Sequence, residues 1–217
     1  MTRRQLLKAG AAAALAWQVR PWPIRPPAAF AQSACDATSC VPTLEAFADT
    51  LIPGEKRAPD DRAIAGAASG PGAVQAGALD LLNFPAAGTG PALPALAAGL
   101  DTHAADYAAS HGIVLDPSEP PFVSLAFADR TALLVELLDG NDPDQLAYYA
   151  VAALVFLAYH TAAHLHTADA VRGGHSGLAA IGFPAPQADG LWRFPEFSYG
   201  RALAPLHPGT TRGGNPP

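Results

Sequence analysis

Residues 141–172 have the sequence NDPDQLAYYAVAALVFLAYHTAAHLHTADAVR, and this stretch decides the fold that the sequence predicts. Every side chain from Leu146 to Tyr159 is apolar or aromatic, and a helix that is apolar on all sides is typical of a protein interior. Asp142 and Pro143 predict the helix start as N-cap and first helical residue, and Gly173-Gly174 predicts its end. The apolar run is shorter than the roughly 20 residues needed to cross a bilayer. We therefore predict one buried central helix.

Other segments show apolar residues at three- or four-residue spacing, and glycine or proline separates them. This periodicity predicts helices over residues 42–52, 73–83, 91–111 and 128–138, with a glycine-rich loop over 55–72. No segment alternates with period two for long enough to form a strand. The sequence predicts an all-α fold, a small helical bundle around the central helix, in one domain of residues 32–172.

Residues 173–217 are rich in glycine, proline and aromatic residues, which predicts an irregular C-terminal segment. The segment carries too many large rings to remain disordered throughout. Interface centres are enriched in such side chains, and the interface candidates are Trp192, Arg193, Phe194, Phe197 and Tyr199. Two alternatives stay open: the segment packs on its own helices or on a partner protein.

The charge of the chain is unevenly distributed. The 217 residues carry a formal net charge of −6, yet five of the thirteen basic residues lie before residue 32, where no acidic residue occurs. The remainder has eight basic and nineteen acidic residues, a net charge of −11. An acidic body of this kind argues against binding to nucleic acid or to anionic membrane surfaces.

The N-terminus carries an export pattern. Arg3 and Arg4, followed by Gln-Leu-Leu-Lys, resemble the twin-arginine signal, and an alanine-rich run follows. Ala29 and Ala31 flank Phe30 in a small-x-small site that predicts cleavage before Gln32. The pattern predicts a signal peptide over residues 1–31, a mature chain without a transmembrane helix, and a periplasmic, cell-envelope or extracellular location. An amphipathic first helix is the alternative.

Cys35 and Cys40 are the only cysteines and lie just beyond the predicted cleavage site. An exported protein meets oxidising conditions, so we expect the two thiols to form a local disulfide.

The histidines are the one group of residues that suggests chemistry. Spacing of four residues places His160 and His164 on one face of the predicted helix, as in metal-binding helices, and His175 follows. The sequence offers no evident third ligand on another helix, and we predict no metal site. No nucleophile elbow, dinucleotide fingerprint or haem attachment sequence is present, so we predict no catalytic residue and no enzyme activity of the chain on its own.

Residues 43–54, TLEAFADTLIPG, resemble the opening signature of the gluconate 2-dehydrogenase subunit 3 family, in which a helix ending in Asp-Thr-Leu-Ile-Pro follows a twin-arginine leader. The resemblance implies a small subunit that accompanies a large FAD-dependent dehydrogenase of the glucose-methanol-choline class. It implies that the small subunit's signal exports the folded pair and that the subunit supports maturation of its partner. It also implies that FAD belongs to the partner and no cofactor to this chain.

These observations favour a non-catalytic accessory subunit and export chaperone of a secreted FAD-dependent oxidoreductase. One alternative is a free-standing secreted helical protein that binds a metal or ligand through His160 and His164. Another is a structural protein of the cell envelope that has no partner enzyme.

Overall fold

The computed structural model describes residues 40–139, 144–186 and 208–209, and no strand occurs among them. The helices are α1 (Cys40–Leu51), α2 (Ala78–Leu82), α3 (Leu93–His111), α4 (Pro121–Ser124), α5 (Phe127–Asp139), α6 (Gln145–Thr161), α7 (Thr167–Arg172) and α8 (Ser176–Ala180). Two short 3₁₀ turns, Pro85–Ala87 and Gly90–Ala92, precede α3. The predicted all-α bundle is confirmed.

Helix α1 lies at the centre of the bundle, packed by α2, α3, α4, α5 and α6. Leu44 and Phe47 are almost completely buried, and so are Thr43 and Asp49 on the same helix. The helix that other helices surround is therefore α1, whereas the sequence had indicated the apolar run in α6.

Helix α3 follows the prediction closely. A proline lies in its first turn, and Gly112 ends it in the left-handed conformation, with φ 66°. Asp101 of α3 accepts hydrogen bonds from Thr43 Oγ1 of α1 at 3.0 Å and from the backbone N–H of Phe122 of α4 at 3.1 Å. One carboxylate therefore joins three helices, and burial raises its pKa.

The predicted loop between α1 and α2 folds back on the end of α1. Glu55 N–H donates to Gly70 O at 2.8 Å, and Ala73 N–H donates to Ile52 O at 3.0 Å. A Cβ at Gly54 would lie 2.3 Å from the backbone nitrogen of Gly72, so any larger residue would collide with this second chain segment. Gly54 and Gly72 allow the two backbone segments to contact each other closely. The spacing of glycines in the sequence does not reveal such a contact.

Helix α6 differs from its prediction in two respects. It begins at Gln145 with Asp144 as N-cap, while Asp142 and Pro143, the predicted start, lie outside the described residues. Only one face of α6 is buried, the face of Ala147, Tyr148, Val151, Ala152, Val155 and Ala158. The expectation of burial on all sides is wrong, because α1, α2, α5 and α8 pack only on that face.

The predicted continuous helix to Arg172 is also wrong. Helix α6 ends at Thr161, and Ala162 adopts a left-handed conformation with φ 50°. The turn brings α7 and α8 together so that Ala162, Ala170 and Leu178 form a second small core, against which Phe183 packs. Helix α8 lies within the segment that composition had predicted to be irregular.

Helix α8 fastens the C-terminal part of the described chain to the start of α2. His175 Nε2 donates to Ala76 O at 3.0 Å, and Ser176 Oγ donates to Gln75 O at 2.9 Å. Gly177 lies against the end of α6, where a Cβ would be 2.3 Å from Tyr159 O. Residues 175–177 are therefore packed on the helical body.

No helix in the described part of the chain is both long enough and apolar enough to cross a membrane.

Candidate functional site

The most unusual surface among the described residues is the solvent-exposed face of α6. We call it the α6 stripe and define it as Leu146, Tyr149, Ala150, Ala153, Phe156, Leu157 and His160. These positions recur at three- or four-residue intervals, which places them on one side of the helix.

Large apolar side chains dominate the stripe. Leu146 is 54% exposed, Tyr149 51%, and Phe156 and Leu157 43% each. No acidic residue, lysine or arginine occurs between Gln145 and Thr161, so the stripe lacks the charges that normally solvate the outer face of a surface helix. Single exposed apolar residues are ordinary, but contiguous ones on one element mark a surface that binds something.

An apolar groove adjoins the N-terminal half of the stripe. It lies between α1, α5 and α6, has a volume of about 390 Å³, and is lined by Thr50, Leu51, Thr131, Leu134, Val135, Leu138 and Tyr149. Tyr149 belongs to both the groove and the stripe, and Val135 at the groove edge is 59% exposed. The two features therefore form one apolar surface.

The opposite face of α6 explains why the stripe carries the larger side chains. The buried face consists mainly of alanine and valine, which allow α6 to approach the helices below it closely. Tyr148 is the exception, and its ring packs on Phe47 with ring centroids 6.4 Å apart. Most of the larger side chains of α6 therefore point away from the helices below it.

Two charged residues, Asp49 of α1 and Arg130 of α5, are buried, and both serve the fold. Asp49 Oδ1 accepts from Gly54 N–H at 3.1 Å, and Asp49 Oδ2 accepts from Ala65 N–H at 2.8 Å. Burial raises the pKa of Asp49, although these two hydrogen bonds and the positive charge of Arg130 oppose the shift.

Arg130 is 3% exposed and donates to backbone carbonyls of two loops. Its acceptors include Leu125 O at 3.0 Å, Ala63 O at 2.8 Å and Arg62 O at 2.9 Å, and Val123 O is a fourth. The Asp-Thr-Leu-Ile-Pro-Gly stretch thus places a carboxylate that organises the following loop, which is an architectural role.

The structure separates the histidines that the sequence grouped. His160 lies on the α6 stripe, with Nδ1 at 3.0 Å from Phe156 O, whereas His164 lies in the turn after α6. The shared helical face predicted for the two is wrong, because α6 ends between them.

His164 lies beside His175 instead, with ring centroids 5.9 Å apart. His175 uses both ring nitrogens, since Nε2 donates to Ala76 O and Nδ1 accepts from Leu178 N–H at 3.3 Å. Burial lowers the pKa of His164, and its Nδ1 is buried without a hydrogen-bond partner. Within the described ranges, no group of three or more histidine, cysteine or acidic residues has a geometry that would hold a metal ion.

Several predicted residues lie outside the described part. These are Arg3, Arg4, Ala29 and Ala31 of the export signal and Trp192, Arg193, Phe194, Phe197 and Tyr199 of the C-terminal segment. Cys40 is disulfide-bonded, and its predicted partner Cys35 is also outside the described residues.

Comparison with known proteins gives one match. A family model described as a family of unknown function, DUF5987, covers residues 38–217. The chain belongs to this family. No curated protein and no solved structure matches the chain. The DUF5987 match includes both the helical body and the C-terminal segment, so the two belong to one family unit.

Sequence reasoning missed the α6 stripe. The available signal was side-chain size: in α6 the large residues Leu146, Tyr149, Phe156 and Leu157 share one face, while alanine and valine dominate the other. Hydrophobicity alone does not distinguish the two faces, because both are apolar.

Proposed function

We propose that this DUF5987 chain is a non-catalytic accessory subunit and export escort of a secreted FAD-dependent oxidoreductase of the glucose-methanol-choline class. In this proposal the α6 stripe and the adjoining groove are the docking surface for the oxidoreductase. The observation that carries it is the exposure of four large apolar side chains, without one charged residue, along a single helix.

The size of this surface suits a subunit contact that needs more than one element. Full burial of a leucine or phenylalanine side chain contributes about 1.5–3 kcal/mol, so completing the burial of four half-exposed ones contributes about 3–6 kcal/mol. Association itself costs about 4–15 kcal/mol in lost translational and rotational freedom. The stripe alone does not reach a stable complex, and the groove with Val135 supplies the additional contact.

The resemblance of residues 43–54 to the gluconate 2-dehydrogenase subunit 3 signature supports the class of partner. The central residue of that signature here, Asp49, holds two backbone N–H groups and is 1% exposed. A buried carboxylate that binds two backbone N–H groups favours an architectural role over a catalytic one, in keeping with a subunit whose partner holds the FAD.

The docking surface is tested by co-expression with a FAD-dependent oxidoreductase of the glucose-methanol-choline class. We expect the pair to co-purify with flavin absorbance, and Phe156→Glu to weaken binding at least tenfold, which corresponds to about 1.4 kcal/mol. Val114→Glu is the matched control, because Val114 is an apolar residue 94% exposed in the loop after α3, outside the stripe. Equal binding by both variants would exclude the stripe as the docking surface, and substrate turnover by the isolated chain would exclude an accessory role.

The escort role is tested separately. Changing Arg3 and Arg4 to lysine is expected to retain both this chain and the oxidoreductase in the cytoplasm, measured by fractionation and flavin content. Export of the oxidoreductase despite this change would show that the chain is a subunit without being an escort.

A further inference from the structure

Two histidine rings lie against residues 75–77, the segment that leads into α2. His175 of α8 donates from Nε2 to Ala76 O at 3.0 Å. The ring of His164, in the turn after α6, lies over Gly77, where a Cβ would be 2.7 Å from its Nε2. The two rings are neighbours, with centroids 5.9 Å apart. Helix α8 therefore meets the start of α2 at a pair of titratable side chains.

The hydrogen bonds of His175 require a neutral ring in one tautomer. Ala76 O can only accept, so the ring proton lies on Nε2. Nδ1 accepts from the backbone N–H of Leu178 at 3.3 Å, which makes His175 the N-cap of α8. A second proton on Nδ1 would turn this acceptor into a donor. Protonation of His175 therefore removes the cap of α8.

We propose that α8 is an acid-released latch, which is docked on α2 while His175 and His164 are neutral and is released when both rings take up a proton. Release breaks the hydrogen bonds to residues 75 and 76 and exposes Leu178, which is 1% exposed in the docked form. No step of the latch involves the oxidoreductase, so the latch and the proposed function are tested independently.

The surroundings of His164 oppose a charge on its ring. Its Nδ1 is buried without a hydrogen-bond partner, so a proton there would be a buried, unpaired charge. Burial lowers the pKa of His164, Asp80 of α2 acts in the opposite direction, and a charged His175 lowers it further. The docked form therefore favours two neutral rings.

Other charged groups near the pair are engaged or point elsewhere. On α7, Asp169 is exposed and lies 2.7 Å from Arg172 and 3.8 Å from His166. At the end of α6 the titratable side chains are Tyr159 and His160, and His160 belongs to the exposed stripe. Helix α8 itself has the sequence SGLAA, without a titratable side chain.

The attachment of α8 is small enough to open without unfolding the bundle. The core that α8 completes has three buried apolar residues, Ala162, Ala170 and Leu178. A unit with few buried apolar contacts opens at a lower free energy than the whole protein. Gly173 and Gly174 join α7 to α8, and Gly174 has a φ of 71°. These two glycines supply the hinge about which α8 can move.

The direction of the pH dependence follows from proton uptake. The pKa of His164 in the docked form is lower than the ordinary histidine value of about 6.5. The stabilisation that the neutral ring gives to docking is therefore complete above about pH 6.5 and is lost as pH falls through the lowered pKa. Each proton taken up on release changes the docking equilibrium by about tenfold per pH unit.

Thiol labelling measures the release directly. Leu178→Cys places a thiol beneath α8, and dithiodipyridine reacts with thiols at neutral and at acid pH. The parent chain gives the background, because Cys40 is disulfide-bonded and Cys35 is the only other cysteine. We expect the labelling rate of this thiol, relative to that of the exposed Val114→Cys thiol, to rise at least about tenfold from pH 7 to pH 5.

Histidine variants assign the response to the pair. Glutamine does not titrate, so His164→Gln with His175→Gln is expected to hold the relative rate within about twofold over the same pH range. His160→Gln is the matched control, because His160 lies on the exposed face of α6, and it should keep the full response. A rate that does not change with pH in the parent background would overturn the latch, as would a rise that persists in the double variant.

A thiol in the main bundle distinguishes the latch from general acid unfolding. Val123 of α4 is 2% exposed, and the Val123→Cys thiol is expected to stay protected at pH 5. Exposure of both buried thiols at the same pH would show that the whole bundle unfolds and would overturn the proposal.

A measurement on the unmodified chain does not depend on any substitution. Nitrogen-15 NMR of the histidine rings at pH 7 is expected to place the single proton of His175 on Nε2. A proton on Nδ1 instead, or a charged His175 ring in the docked form at pH 7, would overturn the latch.

Discussion

Helices α1 and α6 reverse the usual relation between polarity and burial. Helix α1 buries a carboxylate, Asp49, in the middle of the bundle, and the guanidinium of Arg130 is buried nearby. Helix α6 exposes Leu146, Tyr149 and Phe156 to solvent. The difference shows that the more hydrophobic helix is not the one in the interior of this chain. A helix with buried charged groups can lie there when those groups have hydrogen-bond partners.

The fold tolerates the burial of Asp49 and Arg130 because both side chains form hydrogen bonds with backbone groups. Each Asp49 oxygen accepts a backbone N–H, and Arg130 donates to carbonyls of both neighbouring loops. The exposed apolar side chains have no comparable complement among the described residues. The buried charges of α1 and α5 are satisfied within the bundle, whereas the α6 stripe is the docking surface that we propose.

The strongest test of the comparison is the loss of Arg130. We expect Arg130→Met to lower the free energy of unfolding by about 5 kcal/mol, because it leaves several buried carbonyls unpaired and Asp49 without its nearby positive charge. Urea denaturation followed by circular dichroism measures the change. A loss below about 1 kcal/mol would mean that the buried hydrogen bonds of Arg130 contribute little.

A matched pair of truncations compares the two helices directly. Phe47 of α1 is 1% exposed and Phe156 of α6 is 43% exposed. Phe47→Ala is expected to cost about 3–5 kcal/mol in thermal or chemical unfolding, since it opens a cavity in the core. Phe156→Ala is expected to cost about 1 kcal/mol, and equal losses would show that α6 is as buried as α1 in solution.

Asp49→Asn is expected to lower the free energy of unfolding less than Arg130→Met does. The amide keeps one oxygen acceptor and turns its nitrogen toward a backbone N–H, which should cost about 1–3 kcal/mol.

The size of that cost should depend on pH. Burial raises the pKa of Asp49 in the folded state above the ordinary value of about 4, so the folded protein holds this proton over a pH range in which the unfolded chain has lost it. The Asp49 contribution to stability therefore falls as pH rises through that range. The loss on changing Asp49 to Asn should be smaller at pH 7 than at pH 4, and the opposite trend would contradict the direction of the pKa shift. Asp101 titrates in both proteins and cancels in the difference.

The smallest effect is expected at His160, whose side chain on the stripe contacts its own helix. His160→Ala should change the free energy of unfolding by less than about 0.5 kcal/mol, as at other surface sites. Differential scanning calorimetry with and without added Zn²⁺ extends the test. A rise in melting temperature with zinc that His160→Ala abolishes would revive a metal-binding role for α6.

Much of the bundle was predictable because apolar residues recur at helical spacing in several of its helices. Helix α5 combines leucines with charged residues, and in α3 the buried residues recur at three- or four-residue spacing until Gly112 ends the helix as expected. The burial of α6 was not predictable, since both of its faces are apolar and only the packing of the other helices distinguishes them.

The end of α6 gave no sequence signal either. Neither glycine nor proline marks the turn, and Ala162 takes a left-handed conformation that alanine seldom adopts. The architectural role of Asp49 and Arg130 was equally hidden, because their partners are set by loops that meet only in the folded chain. The export signal and the aromatic C-terminal segment lie outside the described residues and stay predictions.

The two hydrogen bonds between α8 and the start of α2 have a consequence for biosynthesis. They join residues 99 and 101 positions apart, so the carbonyls of Gln75 and Ala76 leave the ribosome long before Ser176 and His175 do. At about 5–20 residues per second the delay is about 5–20 seconds. These two hydrogen bonds can form only after His175 and Ser176 have left the ribosome.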